Sequence, residues 1–303
     1  MRIHHLNCVS SCPLGGALMD GRSAELRGKL ACHCLLIEAR DSLVLIDTGY
    51  GLRDVANPRS RLSRVMLKLM RPELREEMTA VRQIQAMGFD PRDVKHIVLT
   101  HLDFDHAGGL DDFPGAVVHL LADEQASAFA RETQLDRMRY RPQQWSTRDH
   151  WCVYPSTSGE KWFGFDCVRD LAGITDEILL VPLIGHTLGH AGIAVQRDQG
   201  WLLLAGDAYF YHQEIDPVQP YCTPGLRMYQ TMMEKDRPAR LLNQDRLREL
   251  VRTSRDHVQV VCAHDVVEFE RVSGRAFDSP AAARPRPAEI VDPHPGLPAT
   301  HLN

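Results

Sequence analysis

The chain has no run of about eighteen apolar residues, so no segment reads as a helix long enough to cross a bilayer. It has no basic excess either. Its 35 Lys and Arg are set among 40 Asp and Glu, for a net charge of −5, and leave no basic face suited to a phosphate backbone, so no nucleic acid partner is expected. Its eight cysteines are scattered and form no paired C-x-x-C set, which predicts free thiols in a reducing compartment. The opening Met1-Arg2-Ile3-His4-His5-Leu6-Asn7 lacks a basic segment followed by an apolar one, so the expectation is a soluble, cytoplasmic protein with no membrane partner.

What is present is an average globular composition, 44% apolar and 25% charged, in 303 residues, enough for one large core. We expect one catalytic domain over 1–275 and a Pro- and Ala-rich tail over 276–303, with His294 and His301 unrelated to any metal. Residues 30–38 and 42–47 predict a β-hairpin turned at Ala39-Arg40-Asp41. Further strands are expected at 96–100, 116–121, 178–181, 193–195 and 201–205, with helices over 74–87, after Ala122 with Asp123 as an N-cap, and over 239–255 with Leu241, Leu242, Leu247, Leu250 and Val251 inward. Residues 52–72 carry Arg and Lys among Leu, Val and Met, an amphipathic pattern that suits a lid over a site, a homodimer contact or an ordinary surface helix. Residues 137–166 hold Trp145, Trp151 and Trp162 in a non-periodic stretch that reads as a long loop, either walling a pocket, the favoured reading, or forming a satellite core.

The densest chemistry lies between Thr100 and Leu110, T-H-L-D-F-D-H-A-G-G-L, straight after Ile97-Val98-Leu99. His101, Asp103 and Asp105 alternate, as ligands on one side of an extended segment do. His106 breaks the alternation and requires a turn that offers a ligand to a second ion. Cys32-His33-Cys34 and His4-His5 with Cys8 and Cys12 also carry metal-ligating types, but Cys34-Leu35-Leu36-Ile37 reads as a core strand.

Four further pieces follow in order: Leu45-Ile46-Asp47-Thr48-Gly49, Gly185-His186-Thr187-Leu188-Gly189-His190, Leu202-Leu203-Leu204-Ala205-Gly206-Asp207 and Val258 through Asp265, which contains His264. Together with the first motif they resemble the metallo-β-lactamase-fold hydrolases over roughly residues 30 to 270. The resemblance implies an α/β fold, a four-layer αβ/βα sandwich. It also implies two divalent ions, Zn, Mn or Fe: His101, Asp103 and His186 on the first, Asp105, His106 and His264 on the second, and Asp207 between them, with a hydroxide bridging ions about 3.5–4 Å apart. Asp103 stands where the family more often has histidine and is closer to the H-x-E-x-D-H of the diiron flavoprotein branch; it either ligates, the favoured reading, in which case its extra oxygen favours Mn or Fe, or points away and leaves that ion weakly held.

Supporting roles are implied for Asp47 behind the ligands and for His190 as a packed, non-ligating histidine, while Asp265 either orients His264 or caps a turn. Gly108-Gly109 suits a close approach of backbone to the ions, a helix start behind the site, or a plain tight turn. In lactone-cleaving relatives a tyrosine three residues after the bridging Asp meets the substrate carbonyl; here that position is Phe210, which leaves Tyr209 and Tyr211, with Asp105, as the catalytic candidates. C-L-L-I-E, L-I-D-T-G and G-H-T-x-G-H resemble the N-acyl-homoserine lactonase branch, so the expected function is hydrolysis of an ester-like carbonyl in a small molecule, a lactone first. Alternatives are a thioester or phosphoester hydrolase of the same fold, an iron-dependent oxidoreductase resembling diiron flavoproteins or sulfur dioxygenases, and, least favoured, a non-catalytic binding protein.

Overall fold

Alternating apolar residues build the molecule from two six-stranded sheets. The computed structural model describes residues 1–40, 42–145 and 149–281. The first sheet runs in chain order through β1 (Arg2–Asn7), β2 (His33–Glu38), β3 (Leu43–Ile46), β4 (Val94–Val98), β5 (Val117–Leu121) and β6 (Trp151–Tyr154). The second runs β12 (Val258–Val261), β11 (Trp201–Leu204), β10 (Ala191–Gln196), β9 (Ile178–Pro182), β8 (Phe165–Asp170) and β7 (Glu160–Trp162).

Both faces of each sheet are covered, which is why the central strands are apolar nearly throughout. Leu35, Ile37, Val44, Ile46 and Val98 meet Ile178, Leu180, Ile193, Val195 and Leu204 between the sheets. The alternate residues Cys34, Leu36, Leu45 and Ile97 pack outward with Val81 and Ile84 of helix Ala80–Ala86. On the far side Leu179, Val181, Ala194 and Leu203 pack against Leu247 and Leu250 of helix Arg237–Ser254. These are the four layers of an αβ/βα sandwich. No helix among the described residues is long and apolar enough to cross a membrane.

Several elements depart from the sequence reading. The described residues of 137–166, which leave out 146–148, are not one loop: they end one helix (Gln134–Arg139) and supply β6 and β7. Trp145 is buried in the first-sheet core and Trp162 in the second, so these indoles pack cores and do not wall a pocket. Residues 52–72 form three short helices, Leu52–Ala56, Pro58–Arg61 and Arg64–Met70; Met66 and Met70 turn inward and Val65 outward. Leu241 and Leu242 are exposed, and the inner side of their helix carries Arg240, Asn243 and Gln244 with Leu247 and Leu250. Asp123 does not cap its helix, which begins after Leu121.

The expected boundary at 275 is crossed by contacts. Phe277 is buried beside Ala31, Val266 and Phe269, and its carbonyl accepts Asn7 Nδ2 at 2.6 Å. The rest of the tail beyond 281, with His294 and His301, and Asp41 of the first hairpin turn lie outside the described residues. All eight cysteines are unpaired, and among the described residues every cluster able to hold a metal draws on the T-H-L-D-F-D-H motif rather than on Cys32, His33 and Cys34.

Candidate metal centre

Strands β3, β4 and β5 run parallel, as do β11 and β12, so the chain leaves several strands at one edge of the sandwich. His101 follows β4, His186 follows β9, Asp207 follows β11 and His264 follows β12. The structure therefore gathers all seven residues singled out as ligands. His101, Asp103 and His186 form one group, Asp105, His106 and His264 another, and His101, His106 and Asp207 a third, each with ligand atoms within 4.8 Å of one another. All seven are buried.

Asp207 sits between the groups. Its Oδ1 is 3.1 Å from His264 Nε2 and 3.3 Å from His106 Nε2, and its Oδ2 is 3.4 Å from His186 Nε2 and 3.8 Å from His101 Nε2. Three of the four imidazoles are aimed by bonds on their far nitrogens, while Nδ1 of His186 has no partner. His106 Nδ1 is 2.8 Å from Asp47 Oδ2, His264 Nδ1 donates to the carbonyl of Ala31 at 2.7 Å, and His101 Nδ1 is 2.9 Å from Thr100 Oγ1. Asp47, held at φ 51, also accepts the amide and hydroxyl of Thr100, each at 2.8 Å, and so ties the D-T-G loop to the start of the motif.

The donor set fits divalent ions by an observation of its own. His101 Nε2, His106 Nε2 and Asp207 Oδ1 are buried, point into the cluster and have no hydrogen-bond partner. Buried polar atoms without partners are costly, and three converging on one point signal a missing cation.

Two glycines let the loops approach this closely. At Gly206, held at φ 55, a Cβ would lie 2.6 Å from His190 Nε2 and 3.0 Å from Thr100 Cβ. At Gly108 it would lie 2.3 Å from Asp54 Oδ2 and 2.7 Å from the carbonyl of Gly49, so Gly108 packs the motif against the D-T-G loop. A 3-10 turn (Leu110–Asp112), not an α-helix, follows it.

His190 is satisfied on both ring nitrogens, by the carbonyl of Leu183 and the amide of Asp207, each at 2.9 Å; burial pushes it down to about 3, so it stays neutral. Asp265 caps helix Val266–Ser273 and holds His212 at 2.8 Å, so its bonds go to the helix start and not to the His264 ring. Tyr209 donates to Glu268 at 3.0 Å within the second-sheet core. Tyr211 lies with His212 and Tyr221, its ring centroids 4.4 and 6.0 Å from theirs.

Three residues at the centre escaped the sequence reading. Glu124 is buried and accepts Leu102 N at 2.9 Å, Thr187 Oγ1 at 2.5 Å and Gly189 N at 3.3 Å, joining the first motif to the G-H-T-L-G-H loop; burial pushes its carboxyl up to about 6. Tyr229, on helix Pro224–Met233, packs edge-on to Phe210 at 5.6 Å, and Phe210 stacks on His264 at 5.1 Å. Burial, and then the charges of Asp105, Asp103 and Asp207, push the Tyr229 phenol well above its usual range. The third is Arg139, fully buried, whose guanidinium spans both oxygens of Asp103 at 2.7 Å. Burial alone would raise the Asp103 carboxyl, but Arg139 and then His101 hold it well below the usual carboxylate range. A run such as Arg137-Met138-Arg139-Tyr140-Arg141 gives no sign of which arginine turns inward.

Two stacked sheets with His and Asp ligands gathered at their strand ends define a metal-dependent hydrolase of lactonase-like architecture. The family model for the metallo-beta-lactamase superfamily matches residues 27–239, and the chain belongs to that superfamily. A probable metallo-hydrolase of Mycobacterium tuberculosis is 38% identical over 269 residues, which cover 88% of this chain and 80% of that protein. An N-acyl homoserine lactonase of Bacillus thuringiensis is 24% identical over 216 residues, covering 69% of this chain and 78% of the relative. Among solved structures, a mutant lactonase of B. thuringiensis with N-decanoyl-L-homoserine at its active site superposes with a TM-score of 0.66 at 20% identity, covering 91% of this chain and 97% of that one.

Proposed function

We propose that the protein hydrolyses a small cyclic ester of the lactone class with divalent metal held by His101, Asp103, Asp105, His106, His186, Asp207 and His264. The observation that carries this reading is the convergence of the partnerless His101 Nε2, His106 Nε2 and Asp207 Oδ1 on one buried point. Bound ions at such a centre supply Lewis acidity toward a carbonyl oxygen and acidify an attacking water.

The chain's own residues provide the rest. Asp207 lies within reach of four imidazoles and ties the two halves of the centre together. Phe104, Phe210, Tyr229, Met66 and Met70 share one apolar cluster beside the ligands, which suits the carbon skeleton of an ester better than a charged phosphate. Tyr229, kept protonated by burial and by the neighbouring carboxylates, takes the role of donating a hydrogen bond to the carbonyl oxygen in this reading, in place of the tyrosine that Phe210 displaces; its packing on Phe210, which stacks on His264, supports it. The names of the lactonase relatives support the same substrate class.

The test is a panel of lactones, thioesters and phosphoesters offered to metal-loaded protein. Ring opening of lactones in preference to the others is expected, and Tyr229→Phe is expected to lower kcat about 10- to 100-fold with metal content unchanged. Rapid turnover of thioesters or phosphoesters with no lactone opened would sink the substrate assignment.

A further inference from the structure

The two halves of the ligand cluster differ in what else reaches them. A backbone bridge between Asp103 and Tyr140 brings the end of helix Gln134–Arg139 against the motif and turns Arg139 into the interior. There Nε donates to Asp103 Oδ1 and Nη2 to Asp103 Oδ2, each at 2.7 Å, while Nη1 donates to the carbonyls of Met233 at 2.8 Å and His186 at 3.1 Å. Nη2 also lies 2.6 Å from His186 Nε2.

That last contact decides the matter. A carboxylate has several lone pairs and can serve a guanidinium and an ion together, but an imidazole nitrogen has one. His186 Nε2 is engaged in either tautomer: its lone pair accepts the guanidinium hydrogen, or its own hydrogen goes to Asp103 Oδ2 at 3.1 Å, so it is not open to an ion at His101, Asp103 and His186. Among the described residues no lysine or arginine is hydrogen-bonded to Asp105, His106, His264 or Asp207, and the Nε2 of His106 faces Asp207 Oδ1 at 3.3 Å without a hydrogen bond.

Resting on the metal-hydrolase reading, we propose that Arg139 stands in for one of the two ions: the centre takes one divalent ion tightly at Asp105, His106 and His264 with Asp207, and a second at His101, Asp103 and His186 only as the guanidinium withdraws from His186. The Arg139 and Asp103 pair then works as a built-in competitor that sets how much free metal full loading requires.

The test is stepwise binding of zinc, and separately of manganese, to chelator-stripped full-length protein, followed by calorimetry and native mass spectrometry without substrate. Wild type is expected to bind one equivalent at least tenfold more tightly than the second. Arg139→Gln, checked for folding by circular dichroism, is expected to tighten the second step at least tenfold and leave the first within about threefold. Arg139→Lys keeps the charge without the planar fork and is expected to fall between them. Two equivalents bound by wild type with equal affinity overturn the proposal even if neither variant folds, and so does a folded Arg139→Gln whose second step is no tighter. Failure of the lactone panel leaves these binding steps unchanged, so the two readings fail separately.

Discussion

The Asp105, His106 and His264 corner of the centre and the His101, Asp103 and His186 corner carry the same kinds of ligand, yet their surroundings treat them differently. In the first, Asp47 and the carbonyl of Ala31 hold the far nitrogens of His106 and His264, and the near ones face inward. In the second, a buried arginine has already taken both oxygens of Asp103 and the inward nitrogen of His186. A ligand list fixes where ions can bind; the hydrogen bonds around it decide how strongly each place asks for one.

That comparison can be broken in graded steps. Asp207→Ala removes the carboxylate shared by both corners and should abolish retention of metal at either, with kcat/KM falling roughly a thousandfold, about 4 kcal/mol of transition-state stabilisation. Metal analysis after desalting, beside kinetics, checks it. Asp47→Asn should act most on the first corner, weakening the tighter ion about 10- to 100-fold through His106, as removal of a ligand's outer partner commonly does, with a smaller effect on His101 through Thr100.

Glu124→Ala is the matching change on the other side. It leaves the amides of Leu102 and Gly189 and the Thr187 hydroxyl without their acceptor and should cost about 1–3 kcal/mol, read as a fall in Tm, with the weaker metal step loosened and the tighter one kept.

The smallest effect concerns Glu268, which accepts Tyr209 and the amide of Cys262 next to His264 and which burial, then Asp265, pushes up to about 7. A folded value above the unfolded one binds protons that the unfolded chain gives up. Its stabilising contribution is therefore complete below about 4.5 and lost as pH rises through about 7. Glu268→Gln should flatten that dependence, a difference on the order of 1 kcal/mol between pH 5 and 7, read from Tm against pH for the two proteins.

The fold and the clustering of the candidate ligands were legible because both rest on local pattern. Continuous apolar runs such as Cys34-Leu35-Leu36-Ile37 mark strands covered on both faces, and a ligand at a strand end travels with its strand. Residues that act by reaching across the fold were not legible. Tyr209 and Tyr211 are neighbours of Asp207 in sequence, but the turn after β11 sends the first into the second-sheet core and the second toward His212, while Tyr229 arrives beside Phe210 from a helix further along the chain. Arg139 reads as one more charge in a basic stretch, and only the pairing of Asp103 with Tyr140 turns it inward. The tryptophans misled for a related reason: a stretch without clear period held short strands, and its indoles serve two different cores.

The most direct test of the unequal centre is a crystal of the stripped protein supplied with one equivalent of zinc, read by anomalous scattering at the zinc edge. The account predicts one dominant peak among Asp105, His106, His264 and Asp207, with Arg139 still joined to Asp103 and His186. Two peaks of equal height, or a first peak among His101, Asp103 and His186, would contradict it.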